Sequence, residues 1–187
     1  MSDCVVGVFV GGRSRRLGGI PKGLLKHPVE SGSLVERALS MGRRVGSEVV
    51  LVGKHEAYEG LGVRMLADAP AGVGPIGGLA ALLAHAGERD AIAIACDMPF
   101  VPIELVERLV ATSGGAAVVP RRAGGLEPLC TLYRPDALRE TLADAIARRS
   151  FSLQSVLARV ELRELVLAED EQRWLDDWDA PADLVRP

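Results

Sequence analysis

The start of the chain constrains its fold more than any other feature, because an apolar run leads directly into a loop rich in glycine. The run, residues 4–10, consists mainly of valine and carries no charged side chain. Valine favours strands, and a continuous apolar run indicates burial on both faces of a strand. The sequence therefore predicts a strand near the centre of a parallel sheet.

The loop at residues 11–22 is the first candidate for function. It combines four glycines with four basic side chains, those of Arg13, Arg15, Arg16 and Lys22. Glycine allows backbone N–H groups to approach an anion closely, and the basic side chains neutralise its charge. The spacing matches neither the Walker nor the dinucleotide pattern, so a glycine-rich surface turn with solvated arginines is the alternative. We interpret the loop as a phosphate-binding site.

Strand-like and helix-like segments alternate through the rest of the chain. Apolar runs predict strands at residues 48–52, 63–67, 91–96 and 116–119, and a late, antiparallel strand within residues 127–133. Ser33 and Glu36 form a capping box at the start of the first predicted helix. Pro75, Pro102 and Pro135 suit the starts of later helices. This alternation predicts a doubly wound α/β sheet in a single domain of residues 1–187.

Composition limits the class of protein. The 187 residues carry a formal net charge of −3, which argues against general nucleic-acid binding, whereas the local basic group in the loop suits a small anionic substrate. Cys4, Cys96 and Cys130 have no Cys-x-x-Cys spacing and are expected to be buried, reduced thiols. No apolar stretch is long enough to cross a bilayer, and the first apolar run leads into the loop instead of a cleavage site. We expect a cytoplasmic protein without membrane contacts.

Two aspartates follow predicted strands, at the ends where ligands bind in open parallel sheets. Asp97 comes directly after residues 91–96, and its oxygens are hard ligands suited to Mg²⁺. The alternative is that Asp97 caps the helix after Pro99. Asp68 follows residues 63–67, and the alternative for it is an Asx turn. Both carboxylates are therefore candidates for a functional site.

A glycine pair begins the second predicted helix. Gly77 and Gly78 each cost about 1 kcal/mol relative to alanine inside a helix, so we expect their backbone to lie against a ligand ring or ribose. The three histidines, His27, His55 and His85, show no metal-like spacing. We expect them to be surface residues.

Six short motifs add a family resemblance to these observations. They lie at residues 10–19, 21–25, 74–79, 96–100, 127–130 and 179–184. Together and in this order they resemble the signature of the molybdenum cofactor guanylyltransferases, which belong to the nucleotidyltransferase superfamily. The resemblance covers nearly the whole chain and implies a three-layer, Rossmann-like nucleotidyltransferase fold with a mostly parallel sheet.

The resemblance implies an Mg²⁺-dependent enzyme that transfers GMP from GTP to the terminal phosphate of molybdopterin, or of its metal-loaded form, and releases pyrophosphate. It implies that GTP contacts Val10, Gly11, Gly12, Gly18, Gly19, Lys22, Asp68, Gly77, Gly78 and Asp97. Arg16, Lys22 and Asp97 would carry catalysis, the two basic side chains at the leaving pyrophosphate and Asp97 as metal ligand. It also implies transient contacts with cofactor-delivery and acceptor proteins.

The chain departs from the family pattern at three places. Phe9 and Val10 replace a pair of small apolar residues. Pro21 stands where guanylyltransferases usually have aspartate and is more like the related cytidylyltransferases. Asp177 and Asp179 stand where asparagines are usual. We predict that Asp179 contacts Mg²⁺ directly or through water and that Asp177 lies nearer the pterin; the alternative is a surface turn in which Asp179 caps a short helix.

Two other functions stay open. Pro21 motivates a cytidylyltransferase, or a guanylyltransferase that acts on another phosphorylated metabolite. A nucleotide-binding regulatory or carrier protein without turnover is the second. The presence of both Lys22 and Asp97 speaks against that second function, because binding alone requires no metal ligand at the α-phosphate.

Overall fold

One mixed sheet of eight strands forms the middle layer of the computed structural model, which describes residues 2–11 and 21–178. Its strands are β1 (Ser2–Phe9), β2 (Gly46–Val52), β3 (Met65–Leu66), β4 (Asp90–Ala95), β5 (Ala117–Arg122), β6 (Gly125–Leu126), β7 (Cys130–Tyr133) and β8 (Leu162–Val166). β1 pairs in parallel with both β2 and β4, and β3 pairs in parallel with β2 at one edge. The valine-rich strand is therefore central in the sheet, as its composition predicts.

The other half of the sheet mixes strand directions. β7 lies antiparallel between β4 and β5, β6 pairs antiparallel with the end of β5, and β8 pairs in parallel with β5. A mostly parallel sheet with a late antiparallel strand is thus confirmed. That late strand begins at Cys130, because a turn closes between its N–H and the Glu127 carbonyl, 3.2 Å apart.

All the described helices except the short last one begin at or next to a helix start that local signals predict. They are α1 (Leu34–Val45), α2 (Pro75–Ala86), α3 (Ile103–Ala111), α4 (Pro135–Ala147) and α5 (Leu153–Leu157), with 3-10 turns at Lys22–Leu24, Glu56–Leu61 and Gln172–Leu175. The capping box is present, since the Glu36 N–H donates to the Ser33 hydroxyl and the Ser33 N–H donates to the Glu36 carboxylate at 2.8 Å. Pro102 occupies the N-cap position of α3, directly before its first turn.

Helices cover both faces of the sheet. Alternate residues of β1 face opposite sides, so that Val5 packs with α2 and α4 while Val6 packs with α1 and α3. A Cβ atom on Gly7 would lie 2.6 Å from a methyl carbon of Leu82. Glycine at this position lets α2 approach the sheet closely, and the predicted three-layer arrangement is confirmed.

Two expectations from composition can be compared with the structure. All three cysteines are buried and form no disulfide, as predicted. Among the helices of the described residues, none combines the length and apolar character needed to cross a membrane.

Candidate functional site

A cavity of about 210 Å³ opens at the carboxyl ends of the parallel strands. Its lining includes six residues that the sequence predicts for the site, namely Val10, Gly11, Lys22, Asp68, Gly78 and Asp97. Five further predicted residues, Gly12, Arg16, Gly18, Gly19 and Asp179, lie outside the described residues. A larger, more open depression of about 700 Å³ beside the β5–β6 turn contains none of the predicted residues that the structure describes.

Strand pairing brings these residues together from distant parts of the chain. The Val10 N–H donates to the Val52 carbonyl at 3.0 Å, and the Cys96 N–H donates to the Phe9 carbonyl at 3.1 Å. These bonds extend the β1–β2 and β1–β4 pairings past the ends of the strands. The backbone that begins the glycine loop therefore lies beside the backbone that carries Asp97.

Lys22 and Asp97 form an ion pair at this cavity. Lys22 Nζ lies 2.9 Å from Asp97 Oδ2, and the two side chains are 17% and 23% exposed. Partial burial lowers the effective dielectric and strengthens such a pair relative to one in open solvent. The arrangement places a positive charge for anion binding and a hard oxygen ligand for a cation at the same point.

Lys22 is held in place by the residue that follows it. The Gly23 N–H donates to the buried Tyr58 hydroxyl at 3.2 Å. Burial raises the pKa of Tyr58 to about 12, which keeps the hydroxyl neutral. A Cβ atom on Gly23 would lie 2.9 Å from the Tyr58 oxygen and 3.1 Å from Val35 Cβ, so only glycine permits this approach. Sequence reasoning missed Tyr58, which carries no local signal for this role.

Three backbone carbonyl groups of the loop after β4 accept hydrogen bonds from other parts of the chain. The Asp97 carbonyl accepts from the Trp178 N–H at 2.9 Å. The Pro99 carbonyl accepts from His27 Nε2 at 2.8 Å, and the Val101 carbonyl accepts from Arg37 Nη2 at 2.8 Å. Each donor belongs to a different part of the chain, so the loop that carries Asp97 is held from several sides.

Two sequence-based interpretations are corrected by these bonds. Asp97 is not the cap of α3, because Pro102 occupies that N-cap position. His27 is not a surface residue, because it is 8% exposed and bonded within the fold. The expectation for the exposed His55 is met. Trp178 is buried and lies edge-to-face against Phe100 at 6.4 Å.

Glu127 adds a buried acidic group near Asp97. Burial raises the pKa of its carboxyl. The Leu129 N–H, which donates to this carboxyl at 3.4 Å, and Arg122 at 3.7 Å oppose the shift, whereas the nearby negative charges of Asp177 and Asp97 add to it. The position of Glu127 directly before Pro128, at the entry to β7, is a signal that sequence reasoning did not use for this residue. The edge of the sheet near Asp97 is therefore more acidic than the two predicted aspartates alone suggest.

Close packing accounts for both glycines of α2 without any contact to a ligand. A Cβ atom added at Gly77 would lie 2.3 Å from the Pro70 carbonyl oxygen, and one added at Gly78 would lie 2.9 Å from the Phe9 ring. Gly78 lines the cavity, whereas contact between Gly77 and a ligand stays a prediction.

Asp68 is half-buried, which raises its pKa. No hydrogen bond among the described residues supports an Asx turn there.

The donor set suits a magnesium ion that is held mainly by its substrate. In the described part of the chain, no three His, Cys, Asp or Glu side chains are clustered to hold a metal. Mg²⁺ is commonly bound by one or two carboxylates together with substrate phosphates and water. Asp97, which lines the cavity, provides one such carboxylate.

Comparisons with known proteins agree on one family. The model of the MobA-like NTP transferase domain matches residues 6–165. A molybdenum cofactor guanylyltransferase from Pseudomonas putida KT2440 is 31% identical over 98% of this chain and 97% of its own length. A molybdenum cofactor guanylyltransferase from Mesorhizobium japonicum is 36% identical over 76% of this chain and 74% of its own length.

Solved structures agree with this family at the level of the fold. Molybdopterin-guanine dinucleotide biosynthesis protein A from Archaeoglobus fulgidus superposes with a TM-score of 0.78 at 27% identity, over 96% of this chain and 94% of that one. A 2-C-methyl-D-erythritol 4-phosphate cytidylyltransferase from Thermus thermophilus superposes with a TM-score of 0.69 at 21% identity, over 99% and 96%. The second likeness concerns the fold alone.

Proposed function

This chain belongs to the MobA-like NTP transferase family, and from that premise we propose that it transfers GMP from GTP to the terminal phosphate of molybdopterin, with Mg²⁺ as cofactor. Membership makes the chain a nucleotidyltransferase. The choice of GTP and molybdopterin is drawn from the names of its relatives and from the six motifs that resemble the guanylyltransferases.

The observation that carries the proposal is the Lys22–Asp97 pair at the cavity. Its two charges meet at 2.9 Å, at the strand ends where α/β sheets bind nucleotides. A protein that only bound a nucleotide would not need a half-buried carboxylate beside its phosphate-binding lysine, because that carboxylate repels phosphate unless a cation is present.

The reaction joins two phosphates and needs no covalent intermediate on the protein. A terminal phosphate oxygen of molybdopterin forms a bond to the α-phosphorus of GTP. The bond from that phosphorus to the oxygen bridging to the β-phosphorus breaks, and pyrophosphate leaves with the electron pair. Such a transfer depends on positioning and electrostatics. Burial, with Asp97 nearby, raises the pKa of the Cys96 thiol to about 12, so this cavity residue is not a nucleophile.

Each group of site residues has its own role in the proposed reaction. Backbone N–H groups of the loop, including Gly11, Gly12, Gly18 and Gly19, would cradle the β- and γ-phosphates. Arg16 and Lys22 would stabilise charge on the leaving pyrophosphate. Asp68 and Gly78 would contact the nucleoside part of GTP. Asp97, with Asp179 as the predicted second ligand, would hold Mg²⁺, whose charge reduces the repulsion between the two phosphate reactants.

Turnover with two nucleotides tests this function directly. Purified protein, Mg²⁺ and molybdopterin are mixed with GTP or with CTP, and pyrophosphate and dinucleotide product are measured. We expect product with GTP. A preference for CTP would support the cytidylyltransferase that Pro21 suggests, and nucleotide binding without pyrophosphate release would support a regulatory protein instead.

A further inference from the structure

His27 connects the two segments that carry Lys22 and Asp97. The ring is 8% exposed and belongs to the loop that leads from the Lys22–Leu24 turn to α1. Its Nε2 atom lies 2.8 Å from the Pro99 carbonyl oxygen, across 72 residues of sequence. The reaction described above does not use this ring.

The partners of the ring fix where its proton lies. The Pro99 carbonyl can only accept a hydrogen bond, so Nε2 must carry a proton. The N–H groups of Val29 and Glu30 can only donate, and they lie 3.2 and 2.8 Å from Nδ1, so Nδ1 must be an unprotonated acceptor. With Nε2 as donor and Nδ1 as acceptor, both ring nitrogens of His27 are engaged, which fixes the orientation of the ring.

Backbone hydrogen bonds connect His27 rigidly to Lys22. The Leu25 N–H donates to the Lys22 carbonyl at 3.0 Å, and the Leu34 N–H donates to the Leu25 carbonyl at 2.9 Å. The His27 N–H donates to the Gly32 carbonyl at 3.0 Å. The segment from Lys22 to α1 is thus one bonded unit, and the Nε2 bond joins this unit to the loop that begins at Asp97.

We propose that His27 is a positioning residue for nucleotidyl transfer, because its Nε2–H bond to the Pro99 carbonyl sets Asp97 against Lys22. The inference rests on the proposed function, since a rate effect requires an active transferase. Pro99 is two residues from Asp97, so a shift of its carbonyl displaces the carboxylate. Small displacements of a catalytic group cost rate well beyond their effect on binding.

Two substitutions separate the two bonds of the ring. In His27→Asn, the side-chain oxygen can replace Nδ1 as acceptor for the loop N–H groups but does not reach Pro99. In His27→Gln, the amide nitrogen can replace Nε2 as donor, while the loop N–H groups lose their acceptor. The pair of variants therefore distinguishes positioning of Asp97 from local loop stability.

We expect rate and stability to respond in opposite ways. His27→Asn should lower kcat about tenfold with an unchanged KM for GTP, and His27→Gln should stay within about threefold of the wild-type kcat. His27→Gln should have the lower Tm of the two. Wild-type kcat in His27→Asn, or a loss in His27→Gln as large as in His27→Asn, would overturn the proposal.

A matched control comes from another histidine. His85 Nε2 donates to the Glu48 carboxylate at 2.8 Å, at the amino ends of the parallel strands. His85→Asn removes this bond and touches no bond to the loop after β4. We expect wild-type kcat, and a loss equal to that of His27→Asn would mean that the effect does not come from the Pro99 bond.

A measurement without substrate keeps this inference separate from the proposed function. In ¹⁵N-resolved NMR spectra, His27 should carry its proton on Nε2, and the amide resonances of Lys22 and Asp97 should shift in His27→Asn but not in His27→Gln. A proton on Nδ1, or unshifted resonances in His27→Asn, would overturn the positioning role. Absence of GMP transfer by the wild type would count against the proposed function alone.

Discussion

Two ion-paired clusters lie at opposite ends of the parallel strands and have nearly the same geometry. At the carboxyl end, Lys22 Nζ and Asp97 Oδ2 are 2.9 Å apart. At the amino end, where β2 begins, Glu48 accepts hydrogen bonds from His85 and Arg89, each at 2.8 Å. All five side chains are partly buried. Bond length alone therefore does not distinguish a functional site from a structural ion pair.

The surroundings of the two clusters differ. Both Glu48 oxygens are engaged, and the hydrogen bonds from His85 and Arg89 hold the pKa of that carboxyl below its ordinary value. The Lys22–Asp97 pair instead lines a cavity together with Asp68. A charge beside open space can change partners when an anion or cation arrives. The cavity at the strand ends, rather than the ion pair itself, marks the site.

The largest effect is expected for Asp97→Ala. Loss of the metal ligand should lower turnover by about a thousandfold or more, measured as pyrophosphate release at limiting Mg²⁺. Glu48→Gln is the matched control at the amino end, and it should stay within about twofold of wild type, as expected for a partly exposed ion pair. Near-wild-type turnover of Asp97→Ala at limiting Mg²⁺ would refute the metal role.

Lys22→Ala should have the next largest effect, about a hundredfold in kcat, because the ammonium acts where charge develops on the leaving pyrophosphate. We expect Arg13→Ala and Arg15→Ala to cost less, because the sequence leaves open that these arginines are solvated, and solvated charges contribute little. Arg89→Ala removes a comparable cation from the amino-end cluster and should leave kcat unchanged. Equal, mild losses in the Lys22, Arg13 and Arg15 variants would remove this ranking.

Tyr58→Phe tests the support beneath Lys22. The variant keeps the buried ring but leaves the Gly23 N–H without its acceptor, which we expect to lower kcat about tenfold and to cost about 1 kcal/mol of stability. Turnover and urea unfolding measure the two effects. If kcat stays at the wild-type value while stability falls, the hydroxyl supports the fold and does not position Lys22.

Asp179→Asn should raise the Mg²⁺ concentration for half-maximal turnover severalfold, as expected for the loss of one ligand charge of a metal site. Titration of Mg²⁺ against turnover measures this directly. An unchanged metal requirement with unchanged turnover would favour the alternative, in which Asp179 caps a terminal helix.

The smallest effect is expected in the acid stability of the amino-end cluster. The pKa of Glu48 is lowered from 4.5, so its contribution is fully present above that value and is lost as the pH falls through the lower, folded-state pKa. Glu48→Gln should therefore flatten the decline of unfolding free energy below about pH 4.5, without changing kcat. An unchanged slope would show that this pairing adds no pH-dependent stability.

Local signals in the sequence were sufficient for most elements of the fold, but they did not predict β6, α5 or β8. The capping box of Ser33 and Glu36 and the proline at the start of α2 act within a few residues, so the chain order alone predicts them. The central position of β1 follows from its composition. Asp97 was also predictable as a candidate, because its place after a buried strand puts it at the ligand-binding edge.

Contacts between distant residues were not predictable in this way. The bonds that complete the site, Gly23 to Tyr58 and His27 to Pro99, join residues 35 and 72 positions apart. A single histidine or tyrosine gives no sign of such a partner. Gly77 is a further example, because the Pro70 carbonyl leaves no room for a side chain at this position. Only the folded chain places that carbonyl beside Gly77.

Removal of each ion pair as a whole tests the central claim most directly. One double variant combines Lys22→Met with Asp97→Asn, and the other combines Glu48→Gln with Arg89→Met. Transfer of label from α-phosphate-labelled GTP to molybdopterin is then followed in a single turnover. If the pair at the cavity is the functional one, we expect no detectable transfer in the first variant and a wild-type rate in the second. Transfer that persists in the first, or falls equally in both, would contradict it.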